Sequence, residues 1–132
     1  MTNTSHKAIS TNKAPTPVGP YNQAISAGGW LYCSGQIALD PSTNQMVGQD
    51  DIQAETKQVL SNLIEVLKAG GANPSQVIRT TIYLIDLKDF EKVNSIYSDF
   101  FSQGISPARA CVQVARLPKD GKVEIDCVAW IG

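Results

Sequence analysis

The sequence predicts an α+β domain in which two helices cover one face of a mixed β-sheet. Two observations support this prediction: the order of the segments, and the alternation of side chains along the later strands. The segments follow the order β-β-β-α-β-α-β-β. The middle of that order contains two strand–helix–strand units, and such units join parallel strands by right-handed crossovers. If both crossovers step in the same direction, both helices lie on one face, and the other face has no covering layer.

The first part of the chain is rich in strand and turn signals. Residues 6–10 are predicted to form a short strand, and the stretch "APTPVGP" at 14–20 contains three prolines, which favour a stiff, extended loop. Two further strands are predicted within 21–39, joined at Gly28 and Gly29, a dipeptide suited to hairpin turns.

Residues 51–69 have the spacing of an amphipathic helix. Asp50 and Gln53 resemble a capping pair at its start, and Gly70 and Gly71 are suited to its end. The apolar residues recur at helical intervals: Ile52, Val59, Leu60, Leu63, Val66 and Leu67.

The second half of the chain contains the second helix and three more strands. Residues 77–85 are rich in β-branched residues and are predicted to form a strand. A helix is predicted over 88–101 with Asp86 as its cap, and strands are predicted at 108–115 and 122–130. One face of this helix contains Phe90, Val93, Tyr97 and Phe100.

Alternation along the strands predicts one aliphatic sheet face and one mixed face. The aliphatic face, expected under the helices, contains Leu31, Cys33, Ile37, Ala110, Val112, Val114, Val123, Ile125, Cys127 and Ala129. The mixed face contains Trp30, Tyr32, Ser34, Gln36, Arg109, Cys111, Gln113, Glu124, Asp126, Val128 and Trp130. The second set is too apolar to face water and too polar for a dry core. It therefore predicts a homo-oligomer in which sheet faces pack together around a site.

Composition excludes several classes of function. The 132 residues suit a single domain spanning 1–132, and the net charge of -1 with no basic stripe argues against nucleic acid as a partner. No apolar run approaches the roughly 20 residues that span a membrane, and the N-terminus lacks the apolar segment of a secretory signal.

Cysteine and histidine usage points to a cytoplasmic protein without a metal. The three cysteines are scattered and odd in number, which favours reduced thiols. A single histidine, His6, is too few for a typical zinc site or for a convincing Ser-His-Asp triad. No phosphate-binding glycine motif is present.

Four motifs resemble the Rid (YjgF-type) family of enamine/imine deaminases. They are "PVGPYNQA" at 17–24, "SGQIALDP" at 34–41, "PARACVQVARLPKDGKVEIDCVA" at 107–129, and the order of the elements itself. The resemblance runs from about Ser5 to Ile131 and is strongest to the RidA group, because Arg109 is present.

The resemblance implies a chorismate-mutase-like fold and a homotrimer with clefts between subunits. It also implies that the last strand lies antiparallel between two earlier strands, although "PKDG" alone would suggest a hairpin with the strand before it. The implied activity is hydrolysis of short 2-imino acids, the tautomers of 2-aminoacrylate and 2-aminocrotonate, to 2-oxo acids and ammonia without a cofactor.

Arg109 and Glu124 are the candidate catalytic residues. A guanidinium can bind a substrate carboxylate through two parallel hydrogen bonds, which fixes both position and charge. The alternative for Arg109 is a structural ion pair across subunits with Glu124 or Asp126. By resemblance Glu124 holds or activates the attacking water. From the sequence alone, Asp126 could fill this role instead. Alternatively, Glu124 is a carboxylate on the sheet face that forms a salt bridge in the subunit assembly.

The remaining candidates are substrate-binding residues implied by the resemblance. Tyr21 would cover the pocket, or else pack within a turn, and Ser34 and Gly35 would receive the substrate at a strand end. Asn94 would reach a neighbouring cleft or satisfy local backbone. Cys111 would line the pocket through its backbone carbonyl; no neighbouring histidine activates it as a nucleophile, and a buried structural thiol is the alternative.

Two departures from the family pattern leave these candidates in place. Residue 22 is Asn where the family often has Ser, and "DCVA" stands where "EAIA" is common, with Glu124 unaffected. Two other functions remain open: a non-catalytic sensor or chaperone that binds keto acids in the same clefts, and a ribonuclease or translation inhibitor, which the acidic balance disfavours.

Overall fold

A computed structural model describes residues 5–132 as one six-stranded sheet with two α-helices on one face. The sheet order is β1-β2-β3-β6-β4-β5. The strands are β1 (Lys7–Ile9), β2 (Ala24–Ala27), β3 (Trp30–Gln36), β4 (Val77–Leu84), β5 (Ala108–Gln113) and β6 (Val123–Trp130), and the helices are α1 (Ile52–Ala69) and α2 (Phe90–Phe100). Residues 1–4, part of the N-terminus predicted to lack a secretory signal, lie outside the described residues.

The last strand lies between two earlier strands, as the family resemblance implied. β6 is antiparallel to both β3 and β4, whereas β4 and β5 are parallel. A hairpin between β5 and β6 is therefore not formed. The segment between them contains a 3₁₀ turn at Pro118–Asp120, and it carries the chain past β4 to the middle of the sheet.

The start of α1 differs by one residue from the predicted cap. Asp51, not Asp50, is the N-cap: its carboxylate accepts hydrogen bonds from the backbone N–H groups of Gln53 at 3.0 Å and Ala54 at 3.3 Å. Such a cap satisfies donors that have no partner inside the helix. The helix ends at Gly70, as predicted, where the backbone N–H bonds to the carbonyls of the last turn.

The start of α2 was also predicted too early. A 3₁₀ turn at Leu87–Asp89 precedes the helix, and Asp86 caps that turn by accepting a hydrogen bond from the Lys88 N–H at 3.0 Å. The helix proper begins at Phe90, and Asp89 in front of it makes no side-chain capping bond. The capping residue was recognised correctly, but the element that it caps was not.

The core lies between the helices and one sheet face. Along β6 the predicted alternation is confirmed: Val123, Ile125, Cys127 and Ala129 are all buried. They pack with Val59, Leu60, Leu63, Val66 and Leu67 of α1 and with Val93, Ile96 and Tyr97 of α2. Each large aliphatic side chain buried in this way contributes about 1.5–3 kcal/mol to folding.

The faces predicted for β5 are wrong. Arg109, Cys111 and Gln113 pair with Thr80, Ile82 and Leu84, which are buried beneath the helices, so this polar set shares the helix face. Ala110 and Val112 consequently lie on the uncovered face. β5 is an edge strand, and the incomplete cover at the edge of the helix layer lets an arginine lie there.

The face predicted for Gln36 is also wrong. A β-bulge lies between Cys33 and Gln36, because Cys33 pairs with Cys127 but Gln36 pairs with Ile125. The extra residue in one strand reverses the side-chain alternation, so Gln36 is buried on the core side. Ser34 and Gly35 lie within this bulge.

The uncovered face of the sheet exposes aromatic side chains. Tyr32 is 52% exposed and Trp130 is 47% exposed, and Trp130 packs edge-on against Trp30 with ring centroids 4.8 Å apart. This face also contains Asp126, which accepts a hydrogen bond from the hydroxyl of Tyr83 at 3.0 Å. The single chain thus has a mixed, partly apolar face, as the sequence predicted, but Gln36, Arg109, Cys111 and Gln113 do not belong to it.

No helix among residues 5–132 is long and apolar enough to cross a membrane. Within the same part of the chain, no three histidine, cysteine or carboxylate side chains are grouped as metal ligands. All three cysteines are free thiols.

Candidate functional site

Arg109 lies near the start of β5, against one face of α2. Its Nη1 donates a hydrogen bond to Oδ1 of Asn94 at 2.7 Å. Its Cζ lies 4.9 Å from the ring centroid of Tyr97 and 5.4 Å from that of Phe90, both within range for cation–π contacts. None of the ion pairs found among residues 5–132 includes Arg109. Its charge is therefore oriented by neutral groups.

A cavity of about 550 Å³ opens beside this guanidinium. It lies between α2, the loop that follows the helix, and the start of β5. Its polar lining contains Arg109, Asn94, Ser98, Asp99, Ser102 and Ser106. Asp99 takes part in none of the ion pairs found among residues 5–132, so it does not neutralise Arg109 directly. A cationic group next to several hydroxyls is suited to a small anionic ligand.

Glu124 lies in a second, smaller cavity of about 70 Å³ on the other side of the sheet. Tyr21 and Gly35 also line this cavity, together with residues of the proline-rich loop. The Glu124 side chain packs directly on the bulge. A Cβ added to Gly35 would lie 2.9 Å from Cδ of Glu124 and still closer to Oε2 of the same carboxylate. Gly35 therefore gives the carboxylate the room that it occupies.

The environment of Glu124 makes its carboxylate a stronger base than a solvent-exposed one. Burial raises the pKa of the Glu124 carboxyl above its usual value, and the negative charge of Asp126 raises it further. A half-buried carboxylate that is a stronger base than usual can orient a water molecule and accept a proton from it. Of the two rival carboxylates considered from the sequence, Glu124 lines the cavity and Asp126 does not.

Backbone contacts place Tyr21 and Ser34 next to this second cavity. The Tyr21 hydroxyl accepts a hydrogen bond from the Val18 N–H at 3.3 Å, so Tyr21 packs within a turn and also lines the cavity. The Ser34 hydroxyl donates to the carbonyl of Asn22 at 2.6 Å. Because Ser34 bonds to the backbone of residue 22, this contact does not depend on the side chain of that residue, which is Asn here and often Ser in the family.

Cys111 is a half-buried thiol that packs against the core. Burial raises the pKa of this thiol above its usual value, although the nearby charge of Arg109 opposes the effect. A raised pKa reduces the thiolate fraction and hence the nucleophilicity. The geometry thus supports the structural interpretation of Cys111, whose side chain lines neither cavity.

The candidate residues form two groups within one chain. Arg109 and Asn94 lie in one cavity on the helix side, whereas Tyr21, Gly35 and Glu124 lie in the other on the uncovered side. Because β5 places Arg109 on the helix face and β6 places Glu124 on the opposite face, the two cannot meet in one protomer. The ion pair considered for Arg109, with Glu124 or Asp126, was one across subunits; within the described chain Arg109 pairs with neither carboxylate.

The structure adds four residues that the sequence did not single out as functional. Gln23 is buried and its side chain holds the proline-rich loop, donating to the carbonyl of Pro15 at 2.8 Å. Pro118 closes one side of the Glu124 cavity. Phe90 and Tyr97 contact Arg109, although the sequence pattern placed them only on the apolar face of α2. A "YNQA" motif beside prolines hints at Gln23, but no local signal connects α2 with Arg109.

Comparison with known proteins supports the family assignment. The family model described as Endoribonuclease L-PSP, the YjgF/Rid family, matches residues 11–131. A RutC family protein from Synechocystis is 54% identical over 123 residues, which cover 93% of this chain and 95% of the relative. The mouse protein named 2-iminobutanoate/2-iminopropanoate deaminase is 47% identical, with 100% of this chain and 96% of the relative covered.

Solved structures give the same result. Escherichia coli TdcF with bound serine superposes with a TM-score of 0.91 at 38% identity, covering 96% of this chain and 99% of that chain. The shared architecture includes the mixed sheet with two helices. From these matches and from the motifs that surround Gly35, Arg109 and Glu124, we conclude that the chain belongs to the Rid (YjgF-type) family.

Proposed function

We propose that the protein hydrolyses short 2-imino acids to 2-oxo acids and ammonia in the cytoplasm. Relatives that carry the name of this activity match the whole chain at 44–47% identity in four mammals. The single observation on which the proposal depends is the state of Arg109, a cation oriented by neutral groups beside an open cavity. Such a cation is suited to bind a carboxylate.

The proposed site is completed between subunits of a homotrimer. Arg109 and Glu124 lie on opposite faces of one sheet, so a ligand that contacts both needs Arg109 from one protomer and Glu124 from another. The exposed aromatic side chains of the uncovered face, Tyr32 and Trp130, favour burial against a second copy of the chain. Tyr21, Ser34 and Gly35 would then form the wall opposite Arg109.

The proposed reaction needs little more than positioning. Arg109 binds the carboxylate of the protonated imine, which places the imine carbon next to a water held by Glu124. As the water oxygen bonds to that carbon, Glu124 accepts a water proton and the C=N bond becomes a single bond. Glu124 then returns the proton to the amino nitrogen. The C–N bond breaks as the lone pair of the hydroxyl oxygen forms the C=O bond, ammonia leaves, and the hydroxyl proton passes to the Glu124 carboxylate, which releases it to solvent or to the departing ammonia. Orientation of this kind contributes several kcal/mol, up to about 7–11 kcal/mol.

Asn94 and Cys111 have supporting roles in this proposal. Asn94 orients the Arg109 guanidinium from α2, within the same protomer. Cys111 follows Arg109 by two positions on β5 and lines the site through its backbone, while its thiol stays in the core. No covalent step through sulfur is included.

The test is an Arg109→Ala variant assayed with a threonine dehydratase that generates the imine in situ. Semicarbazide competes for the free imine, and the rate of 2-oxobutanoate formation reports hydrolysis. Loss of one charge-assisted carboxylate contact at about 3–5 kcal/mol predicts a reduction of about 10²–10³-fold or more. Arg116→Ala is the matched control, because Arg116 forms an exposed ion pair with Asp120 and lines neither of the two cavities.

The experiment also measures assembly. The Arg109→Ala protein should keep the wild-type sedimentation behaviour, since Arg109 points toward its own α2. Wild-type turnover by this variant would refute the proposed carboxylate anchor, and an active monomeric wild-type protein would refute the shared site.

A second candidate function is a non-catalytic sensor that binds amino or oxo acids. The related TdcF structure contains bound serine, which fits ligand binding at such a site. Binding of 2-oxobutanoate without any ammonia release from the imine would favour the sensor over the hydrolase.

A further inference from the structure

We infer that Phe90, Asn94 and Tyr97 form a positioning cradle that holds the guanidinium of Arg109 without neutralising it. The inference rests on the proposed function, because it concerns how Arg109 is prepared to bind a carboxylate. These three side chains together are named the guanidinium cradle. They are positioning residues, since they act through Arg109.

The three residues lie on one face of α2. Their spacing of four and then three positions places them one above another along a helix. Asn94, in the middle, accepts the Nη1 hydrogen bond at 2.7 Å, and the Tyr97 and Phe90 rings contact the same guanidinium at 4.9 and 5.4 Å. One helix face therefore supplies the hydrogen bond and both ring contacts to this cation.

The Tyr97 ring is itself held by the strand next to Arg109. The hydroxyls of Tyr97 and Thr80 are 2.7 Å apart and both side chains are buried. Thr80 is the register partner of Arg109 in the parallel pairing of β4 with β5. The ring is thus fixed from β4, and it packs against Phe101 with centroids 4.6 Å apart. A rigid ring reduces the conformations that the arginine must lose when it binds a ligand.

The chemistry of the guanidinium cradle leaves the positive charge available. An amide oxygen and two aromatic faces attract a cation, but they carry no net negative charge. A carboxylate in the place of Asn94 would orient the guanidinium as well, yet it would compete with an acidic ligand for the same N–H donors. The guanidinium of Arg109 has five N–H donors, and the hydrogen bond to Asn94 occupies only one of them.

The test is calorimetric titration of the intact assembly with 2-oxobutanoate, in parallel with the coupled hydrolysis assay. Phe90→Leu should weaken binding by about threefold to thirtyfold, the range of one cation–π contact. Phe90→Tyr, which keeps a ring, should bind as the wild type does. Phe100→Leu is the matched control, because Phe100 also lies on α2 and packs partly buried against the core.

Asn94→Asp separates positioning from a structural role. The aspartate keeps an acceptor at the same place, so the fold and the bond to Arg109 should persist. The added negative charge should nevertheless weaken 2-oxobutanoate binding by about tenfold or more and raise KM more than it lowers kcat. Ser95→Ala, a neighbouring exposed position on α2, should change neither.

The outcomes distinguish this inference from the proposed function. If Arg109→Ala abolishes binding but Phe90→Leu and Asn94→Asp bind as the wild type does, the guanidinium cradle is refuted and the anchor stands. If Phe100→Leu weakens binding as much as Phe90→Leu, the effect belongs to α2 packing and the guanidinium cradle is again refuted. If Arg109→Ala binds normally, the anchor and the guanidinium cradle are both refuted.

Discussion

Replacing Gly35 by alanine tests whether the position of the Glu124 carboxylate decides activity. The added Cβ would lie 2.9 Å from Cδ of Glu124, whereas carbon atoms in contact are ordinarily about 3.5–4.0 Å apart. The carboxylate must therefore withdraw by roughly 0.6–1.1 Å. Gly35 does not have a positive φ, so the substitution introduces no left-handed backbone strain.

The expected effect is large on activity and small on stability. The atoms that must move are the end of a flexible side chain, and an off-rotamer torsion costs about 0.5–1.5 kcal/mol. The loss of backbone freedom in the unfolded chain offsets about 0.4–1 kcal/mol of that. The free energy of unfolding should therefore stay within about 1 kcal/mol of the wild type. A misplacement of about 1 Å should lower the hydrolysis rate by about 10²-fold.

The assay combines the coupled dehydratase reaction with urea unfolding. Gly19→Ala is the control, because its Cβ would meet only the Tyr21 ring at an ordinary 3.6 Å. Full activity of Gly35→Ala would refute the reasoning. So would a loss of activity that accompanies severe unfolding, since the cause would then be the fold and not the carboxylate.

Two further predictions concern carboxylates that are partly or wholly buried. Asp126→Asn removes a negative charge that raises the pKa of Glu124, so the acid limb of the hydrolysis pH profile should move to lower pH; an unchanged limb would show that Glu124 does not govern it. Glu55, wholly buried, accepts hydrogen bonds from the backbone N–H groups of Lys122 and Val123, and burial raises its pKa. Because the pKa of Glu55 is raised above its usual 4.5 in the folded state, its protonated form contributes stability at low pH, and this contribution is lost as the pH rises through the folded value. The stability of the wild type should therefore fall relative to that of Glu55→Gln as the pH is raised from below 4.5. Parallel urea midpoints for the two proteins over that rise in pH would contradict this assignment.

Much of the fold follows from local patterns in the sequence. The helical period of α1 and the alternation along β6 are properties of consecutive residues, and both predictions are confirmed. The boundaries were less accurate, as the caps Asp51 and Asp86 show, because two adjacent aspartates or an added 3₁₀ turn fit the same pattern equally well. The position of β6 between β3 and β4 was predicted from the resemblance to the family, because the local turn signals alone favoured a hairpin with β5.

Other features depend on register and on the edge of the sheet. The β-bulge at Ser34 and Gly35 reverses the face of Gln36, and nothing in the local alternation marks the extra residue. The face of Arg109 was predicted wrongly for a related reason. Alternation shows which residues share a face, but not which face the helices cover when the strand lies at the edge.

The sequence by itself determined the α+β class, the family motifs, and the identities of Arg109 and Glu124 as candidates. Only the tertiary structure decided that these two residues lie on opposite sides of one sheet and that α2 holds the arginine. The physical reason is range. Helical and strand periods arise between neighbours in the chain, whereas the contacts between Arg109, Asn94 and Thr80 join different elements, and they exist only after the chain has packed.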